Sequence, residues 1–134
     1  MEQPKGALDW FVTEWLAALG AGDLTGAAKR LDDDVVWHGV REDFVCRGRE
    51  EVVEMLRGAV TNGPRAEALE LVGGEDVVVL GVRSPDLREI GGVALPGQLF
   101  NVYRLRDGAI VEVEDYATRG EAPRAAELAE PDWR

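Results

Sequence analysis

Asn101 and Asp115 are the residues of this chain best suited to chemistry, and strand register decides whether they act together. They lie in two alternating runs on either side of Asp107-Gly108, a strong turn signal. A two-residue loop sets Tyr103 against Glu112 and Asn101 against Glu114, which mixes apolar and charged side chains on both faces. A three-residue loop over 107–109 sorts them better: Tyr103 opposes Val113, Leu105 opposes Val111, and Arg104 opposes Glu112 as a cross-strand ion pair. Because a one-residue slip inverts every side chain, the sorted pattern predicts the register. Asn101 then faces Asp115 on an otherwise apolar surface with Tyr103, Leu105, Val111 and Val113.

A carboxylate on a core-facing surface is costly unless it is paired or put to use. Apolar surroundings push its pKa toward neutrality, which suits a general acid or base. The plainer alternative is a strand-end Asp that caps the next turn or meets water through Thr118. The Asn101 amide can donate to a developing oxyanion or orient Asp115, but it cannot carry a proton. A simple structural hydrogen bond explains Asn101 equally well.

Trp15, Trp37 and Tyr103 are candidates for an aromatic wall around a flat ligand, with Val113 on the same face. Core packing is the plainer reading, above all for Trp15 at its helical spacing. Gly39 shares strand parity with Trp37, so its missing side chain would enlarge the cavity. His38 is the single histidine, and alternation turns it away from that face, toward a surface or interface role. With one histidine and one cysteine, no His or Cys metal cluster is available, and no cofactor or phosphate-binding glycine loop is evident. Cys46 falls in a loop-like segment before Arg47-Gly48 with no activating base in view. The acidic run at 32–34 reads as the solvated end of a helix.

The elements that must position these residues follow from periodicity. Leu8, Phe11, Val12, Trp15, Leu16 and Leu19 fall at helical spacing, and Gly20 and Gly22 end that helix. Asp23 caps a second helix over 24–31. A strand over 35–40 follows, then a helix over 50–60 with Val52, Val53, Leu56 and Val60 as its apolar stripe, broken by Asn62-Gly63-Pro64. Residues 68–72 and 77–82 read as strands. Ser84-Pro85-Asp86, Gly91-Gly92 and Pro96-Gly97 mark turns before the closing hairpin. A short helix from Pro123 fits the tail. Three helices with one early strand, then a run of strands, predict an α+β fold: helices on the concave face of a curved, mostly antiparallel sheet, closing a cone-shaped barrel with an apolar pocket.

At 134 residues, 46% hydrophobic and 31% charged, the chain suits a single domain over 1–134, with a core near 7–119 and a tail over 120–134. A net charge of −11 opposes binding to nucleic acid or anionic membrane. No run approaches the roughly 20 apolar residues that span a bilayer. The opening Met1-Glu-Gln-Pro-Lys lacks the form of a signal peptide, so a cytoplasmic location is expected.

The stretch from Phe11 through Ala21-Gly-Asp-Leu24 to Trp37-His38 resembles the nuclear transport factor 2-like superfamily. Arg47-Gly-Arg-Glu-Glu-Val-Val53 and Arg104-Leu-Arg-Asp-Gly-Ala-Ile-Val-Glu-Val-Glu-Asp-Tyr116 resemble it too. Within it the chain is most similar to SnoaL-like proteins, which include polyketide cyclases. Steroid isomerases of this superfamily carry a tyrosine where Trp15 stands, a general-base aspartate at Gly39 and an acid at Asn101, so their mechanism in that form is excluded. SnoaL-type cyclases place a histidine and an aspartate at positions matching Asn101 and Asp115. Epoxide hydrolases of the fold also carry an acid near Asp115; Arg83 and Asp86 match the rest of their set poorly. The resemblance implies a cofactor-independent cyclase, isomerase or hydrolase for a small hydrophobic carbonyl- or epoxide-bearing metabolite, or a non-catalytic binder of the same fold. It also implies a homodimer through the outer sheet face, where Phe100, Val102, Ile110 and Tyr116 stand among Arg104, Glu112 and Glu114.

Overall fold

A computed structural model describes residues 6–41, 43–62, 68–85, 87–90, 93–95, 97–117 and 121–125. The breaker at Gly63-Pro64, the turn positions Asp86, Gly91, Gly92 and Pro96, and Thr118 lie outside them, as does the tail beyond 125. The first helix is continuous but mixed in pitch: α1 (Ala7–Trp10), a π-helical stretch (Phe11–Leu16) and α2 (Ala17–Gly20). Then come α3 (Leu24–Lys29), β1 (Leu31–His38), β2 (Val45–Arg47) and α4 (Arg49–Asn62). Strands β3 (Ala68–Gly73), β4 (Val77–Arg83), β5 (Glu89–Ile90), β6 (Val93–Ala94), β7 (Gln98–Arg106) and β8 (Ala109–Tyr116) follow, and α5 (Glu121–Ala125) closes the described chain.

Six strands form one sheet in the order β2-β1-β8-β7-β4-β3, antiparallel except for the parallel β1/β8 pair; β5 and β6 form a separate ribbon. The α+β layout with helices on the concave face is therefore the observed one. Local chemistry accounts for the helix starts. Asp23 accepts from the Gly26 N–H at 2.9 Å and caps α3. Gly48, at φ +88°, supplies the left-handed turn before α4, and its carbonyl accepts the Val52 N–H. Val52 and Leu56 of α4 then bury completely or nearly so.

Each sheet face carries a core. The concave cluster gathers Phe11, Trp15, Leu31, Val35, Trp37, Val52, Val78, Leu80, Tyr103, Ile110 and Val113, with others. The convex cluster holds Val72, Val77, Val79, Phe100 and Val102, with Ala122 of α5 packed into it and Tyr116 against it. Burial on both faces explains why β4 reads as an unbroken apolar run, Val77-Val-Val-Leu80, without alternation.

The hairpin resolves the register question in a way the pattern alone missed. Arg106 pairs with Ala109 and Leu105 with Ile110, so the loop is the two-residue Asp107-Gly108 turn, with φ of 52° and 76°. A bulge between Arg104 and Leu105 then takes up Val111, and beyond it Arg104 meets Glu112, Tyr103 meets Val113 and Asn101 meets Asp115. The expected Leu105–Val111 pair and three-residue loop are thus corrected, while the pairs that matter stand. The bulge also turns Ile110 into the concave core, fully buried, rather than onto the outer face.

Other expectations are corrected too. Residues 32–34 belong to β1, not to a helix end. They lie where its pairing with β8 skips from Leu31 to Val36, and Asp33 meets Arg49 at 2.7 Å. Cys46 sits in β2, paired with Trp37, rather than in a loop. On the outer face Phe100 and Val102 are already buried within one chain, which removes much of the apolar area an interface there would use. Arg104 meets Glu112 at 3.4 Å and Glu114 at 3.0 Å on that face. Among the described residues no helix is long and apolar enough to cross a membrane.

Candidate functional site

The site is two rows of concave side chains running across the sheet. The inner row is Cys46, Trp37, Val113, Tyr103 and Val78, neighbours through the β2/β1, β1/β8, β8/β7 and β7/β4 registers. Tyr103 is its centre. Phe11, Trp15 and Trp37 meet it edge-on, with ring centroids 4.6, 5.9 and 5.6 Å away. Phe11 and Trp15 reach it from the π-helical stretch, and both are fully buried. These rings form a packed floor, with Trp15 and Tyr103 buried in the concave core. Burial raises the Tyr103 phenol well above its ordinary pKa, the nearby Trp15 indole opposes this, and the Asp115 charge adds to it. Among the described residues the buried Trp15 Nε1–H makes no hydrogen bond of regular geometry.

The second row carries the chemistry. Asp115 stands opposite Asn101, and Asn101 is flanked by Leu80 and then Leu71. The Asn101 Nδ2–H donates to Asp115 Oδ1 at 2.5 Å. The Trp37 Nε1–H is shared between both carboxylate oxygens, each at 3.1 Å. Oδ1 thus accepts two donors and Oδ2 only a share of one. Burial raises the pKa of Asp115 to about 6; the hydrogen bonds from Trp37 and Asn101 and the proximity of His38 hold it below what burial alone would give. The residue still keeps some exposed surface. A carboxyl fixed in orientation, partly accessible and titrating near neutrality is equipped to give or take a proton.

Beyond this row the wall is apolar and increasingly open. Leu71 and Val82 are partly exposed, Leu99 likewise, and Leu69, paired with Val82, is 47% exposed. On the other flank Gly39 follows His38, which pairs with Glu114, so Gly39 lies beside Asp115. The space expected there is filled: a Cβ on Gly39 would meet the Phe44 ring at 2.6 Å. Gly39 admits Phe44 rather than enlarging the cavity.

His38 points to the opposite face, where Nε2 meets Glu112 Oε2 at 3.2 Å. With Gly39, Val40, Glu114, Asp115 and Tyr116 it lines an open depression of about 370 Å³ at the strand ends, so this depression reaches the Asp115 carboxyl. The Cys46 thiol is pushed up by burial first and then by the charges of Glu51 and Asp115, which leaves it a poor nucleophile. Among the described residues no three His, Cys, Asp or Glu side chains gather as a metal site requires. Two features escaped the sequence reading. Trp37 was expected as wall and acts as a donor to Asp115; its parity with Gly39 and a buried indole's need of an acceptor were the available signals. Phe44 carried no signal beyond lying across a short turn from a glycine.

Solved structures align along most of the chain. A protein from Sphaerobacter thermophilus is 20% identical, covers 87% of this chain and 99% of its own, and superposes with a TM-score of 0.63. A nuclear transport factor 2-like protein of unknown function from Cytophaga hutchinsonii is 18% identical, with coverage of 95% and 99% and a TM-score of 0.61. A candidate polyketide cyclase from Sinorhizobium meliloti is 18% identical, with coverage of 78% and 92% and a TM-score of 0.58. At these identities the likeness shows the fold. No curated protein sequence matches the chain. The sequence profile of the SnoaL-like domain matches residues 12–113, from the first helix to the strand that carries Val113, and the chain belongs to that family.

Proposed function

We propose that Asp115 is the general acid–base of a cofactor-independent reaction on a small hydrophobic metabolite bearing a carbonyl or epoxide. Cyclisation, isomerisation and hydrolysis all fit. The observation that carries the reading is the hydrogen-bonded triad itself: a carboxyl with pKa about 6, held by Trp37 and Asn101 at the edge of an apolar wall. Ionised, it takes a proton from a carbon acidified by an adjacent carbonyl; protonated, it gives one to a developing alkoxide or enolate. Oδ2, with fewer donors, is the oxygen that transfers it. Leu80, Leu71, Val82 and Leu99 supply the apolar contacts that hold the substrate and exclude water. The cyclase named among the structural neighbours lends weight to the cyclisation branch.

The test is turnover of carbonyl- and epoxide-bearing hydrophobic compounds by the wild type and by Asp115→Asn. The reading expects a loss of about 100-fold or more, the scale of general acid–base catalysis; full turnover by Asp115→Asn on a converted compound sinks it. One observation favours the second reading, a non-catalytic binder. Asn101 cannot carry a proton, so any second proton carrier would have to come from the substrate or from water. A compound that binds at this wall and is never converted would favour that reading.

A further inference from the structure

We infer that His38 is the proton-relay residue of this site, exchanging protons between Asp115 and bulk water through the depression at the strand ends. The relay rests on the proposed use of Asp115 and adds the route by which that carboxyl is reset. His38 acts through Asp115 and touches no substrate. A carboxyl that takes a proton from carbon must lose it before the next turnover. Its hydrogen-bond partners, the Asn101 amide and the Trp37 indole, only donate to it and cannot take the proton. A substrate lying on Leu80, Leu71, Val82 and Leu99 shuts water out of the concave side. Among the described residues the other opening onto Asp115 is the strand-end depression of about 370 Å³, with His38 in its lining. A liquid water occupies about 30 Å³, so a chain of waters fits within it.

The backbone brings the two groups to one opening. β1 and β8 run parallel with His38 paired to Glu114, so Asp115 lies one residue past that partner, beside Gly39. The side chains leave opposite faces, but β1 ends at His38, and the next residue, Gly39, places only backbone on the rim. Carboxyl and imidazole therefore meet around the strand ends. Their charges interact: His38 is one of the groups that hold Asp115 below the pKa that burial alone would give.

The imidazole is oriented for exchange. Nε2 meets Glu112 Oε2 at 3.2 Å. A carboxylate only accepts, so the neutral ring places its N–H there and turns the lone pair to Nδ1. Nδ1 takes the proton that Asp115 releases through water, Glu112 stabilises the imidazolium, and Nδ1 then gives the proton to solvent. The side chain is 40% exposed, which opens that last step. Asp115 ends as a carboxylate and His38 as a neutral ring, so protons and charge balance. The other charged or titratable groups about the ring are Glu114 and Tyr116 of β8, Arg104 of β7 and Glu121 of α5; β2 contributes Val45. Arg104 meets Glu112 and Glu114, and burial pushes the Tyr116 phenol up, so neither competes for a proton near neutrality.

Deuterium exchange beside the carbonyl of benzylacetone, followed by proton NMR in heavy water, reads this step. Label enters the ketone only when Asp115 trades its proton with solvent before returning it. In dilute buffer His38→Gln, which can still donate to Glu112, should slow enzymatic exchange about tenfold or more, and added imidazole should restore it. Asp115→Asn should slow it about 100-fold or more, with no rescue. Carbon NMR should also show the Asp115 carboxyl titrating higher in His38→Gln than in the wild type, a change that loss of packing alone does not produce. If His38→Gln exchanges as the wild type does, is slowed without rescue, or leaves the carboxyl titration in place, the relay falls and the use of Asp115 stands. If Asp115→Asn exchanges as the wild type does, or the wild type adds nothing to exchange by buffer, the use of Asp115 falls and the relay with it.

Discussion

Asp115 is a group whose ionisation works against the fold, and the consequence for stability has a definite sign. Its pKa in the folded chain is about 6, against about 3.9 for an unfolded aspartate. Between those values the native chain holds the proton more tightly. The stability this contributes is complete below about pH 4, is lost as pH rises through about 6, and stays lost above. The difference is worth at most about 3 kcal/mol, less to the extent that the residue is open to water. Asp115→Asn should flatten urea-melt stability across this window and leave the mutant more stable than wild type at pH 7; an unchanged slope would show that Asp115 is not the titrating group. Trp37→Phe keeps most of the ring volume and removes the N–H shared by both carboxylate oxygens. The Asp115 pKa should then rise further, read by carbon NMR of the carboxyl. A structural loss of packing alone would lower stability without moving that titration.

At the scale of elements, the hairpin shows what the sequence discloses and what it conceals. Alternation identified the right face for Asn101, Tyr103, Val113 and Asp115, because one buried face tolerates a single register. It assigned the cause wrongly. The turn is the Asp107-Gly108 type that the residues announce, and the shift is taken up by a bulge at Val111. A bulge costs one unpaired residue and leaves no residue signature, so the pattern cannot distinguish it from a longer loop. Ile110 went to the wrong face for the same reason. The acidic run at 32–34 deceived through composition: its carboxylates are solvated as expected, but on a strand irregularity, not a helix end. Gly108, at φ +76°, carries the turn. Gly108→Val should cost about 1–2 kcal/mol, the usual penalty of a left-handed conformation with a side chain, measured as a lower urea midpoint at unchanged slope. An unaltered midpoint would mean the turn had changed type.

Across the whole molecule, the concave surface divides into a buried floor that holds the fold and a more open mouth over Leu69, Leu71, Val82 and Leu99. Hydrophobic periodicity found the floor, since Phe11, Trp15, Val52, Leu56 and Val113 all fall at core spacing. It could not separate floor from mouth, because Trp15 and Leu69 look alike in a pattern of apolar residues and differ only in what packs over them. The division makes opposite predictions for two truncations. Trp15 is fully buried against Tyr103, so Trp15→Ala should cost about 3–5 kcal/mol of stability. Leu69 is 47% exposed at the open edge, so Leu69→Ala should change stability by no more than about 0.5 kcal/mol. Thermal melts of the two variants separate the roles. If Leu69→Ala melts as far below wild type as Trp15→Ala does, the β3 edge belongs to the floor and its exposure is no guide to what it supports.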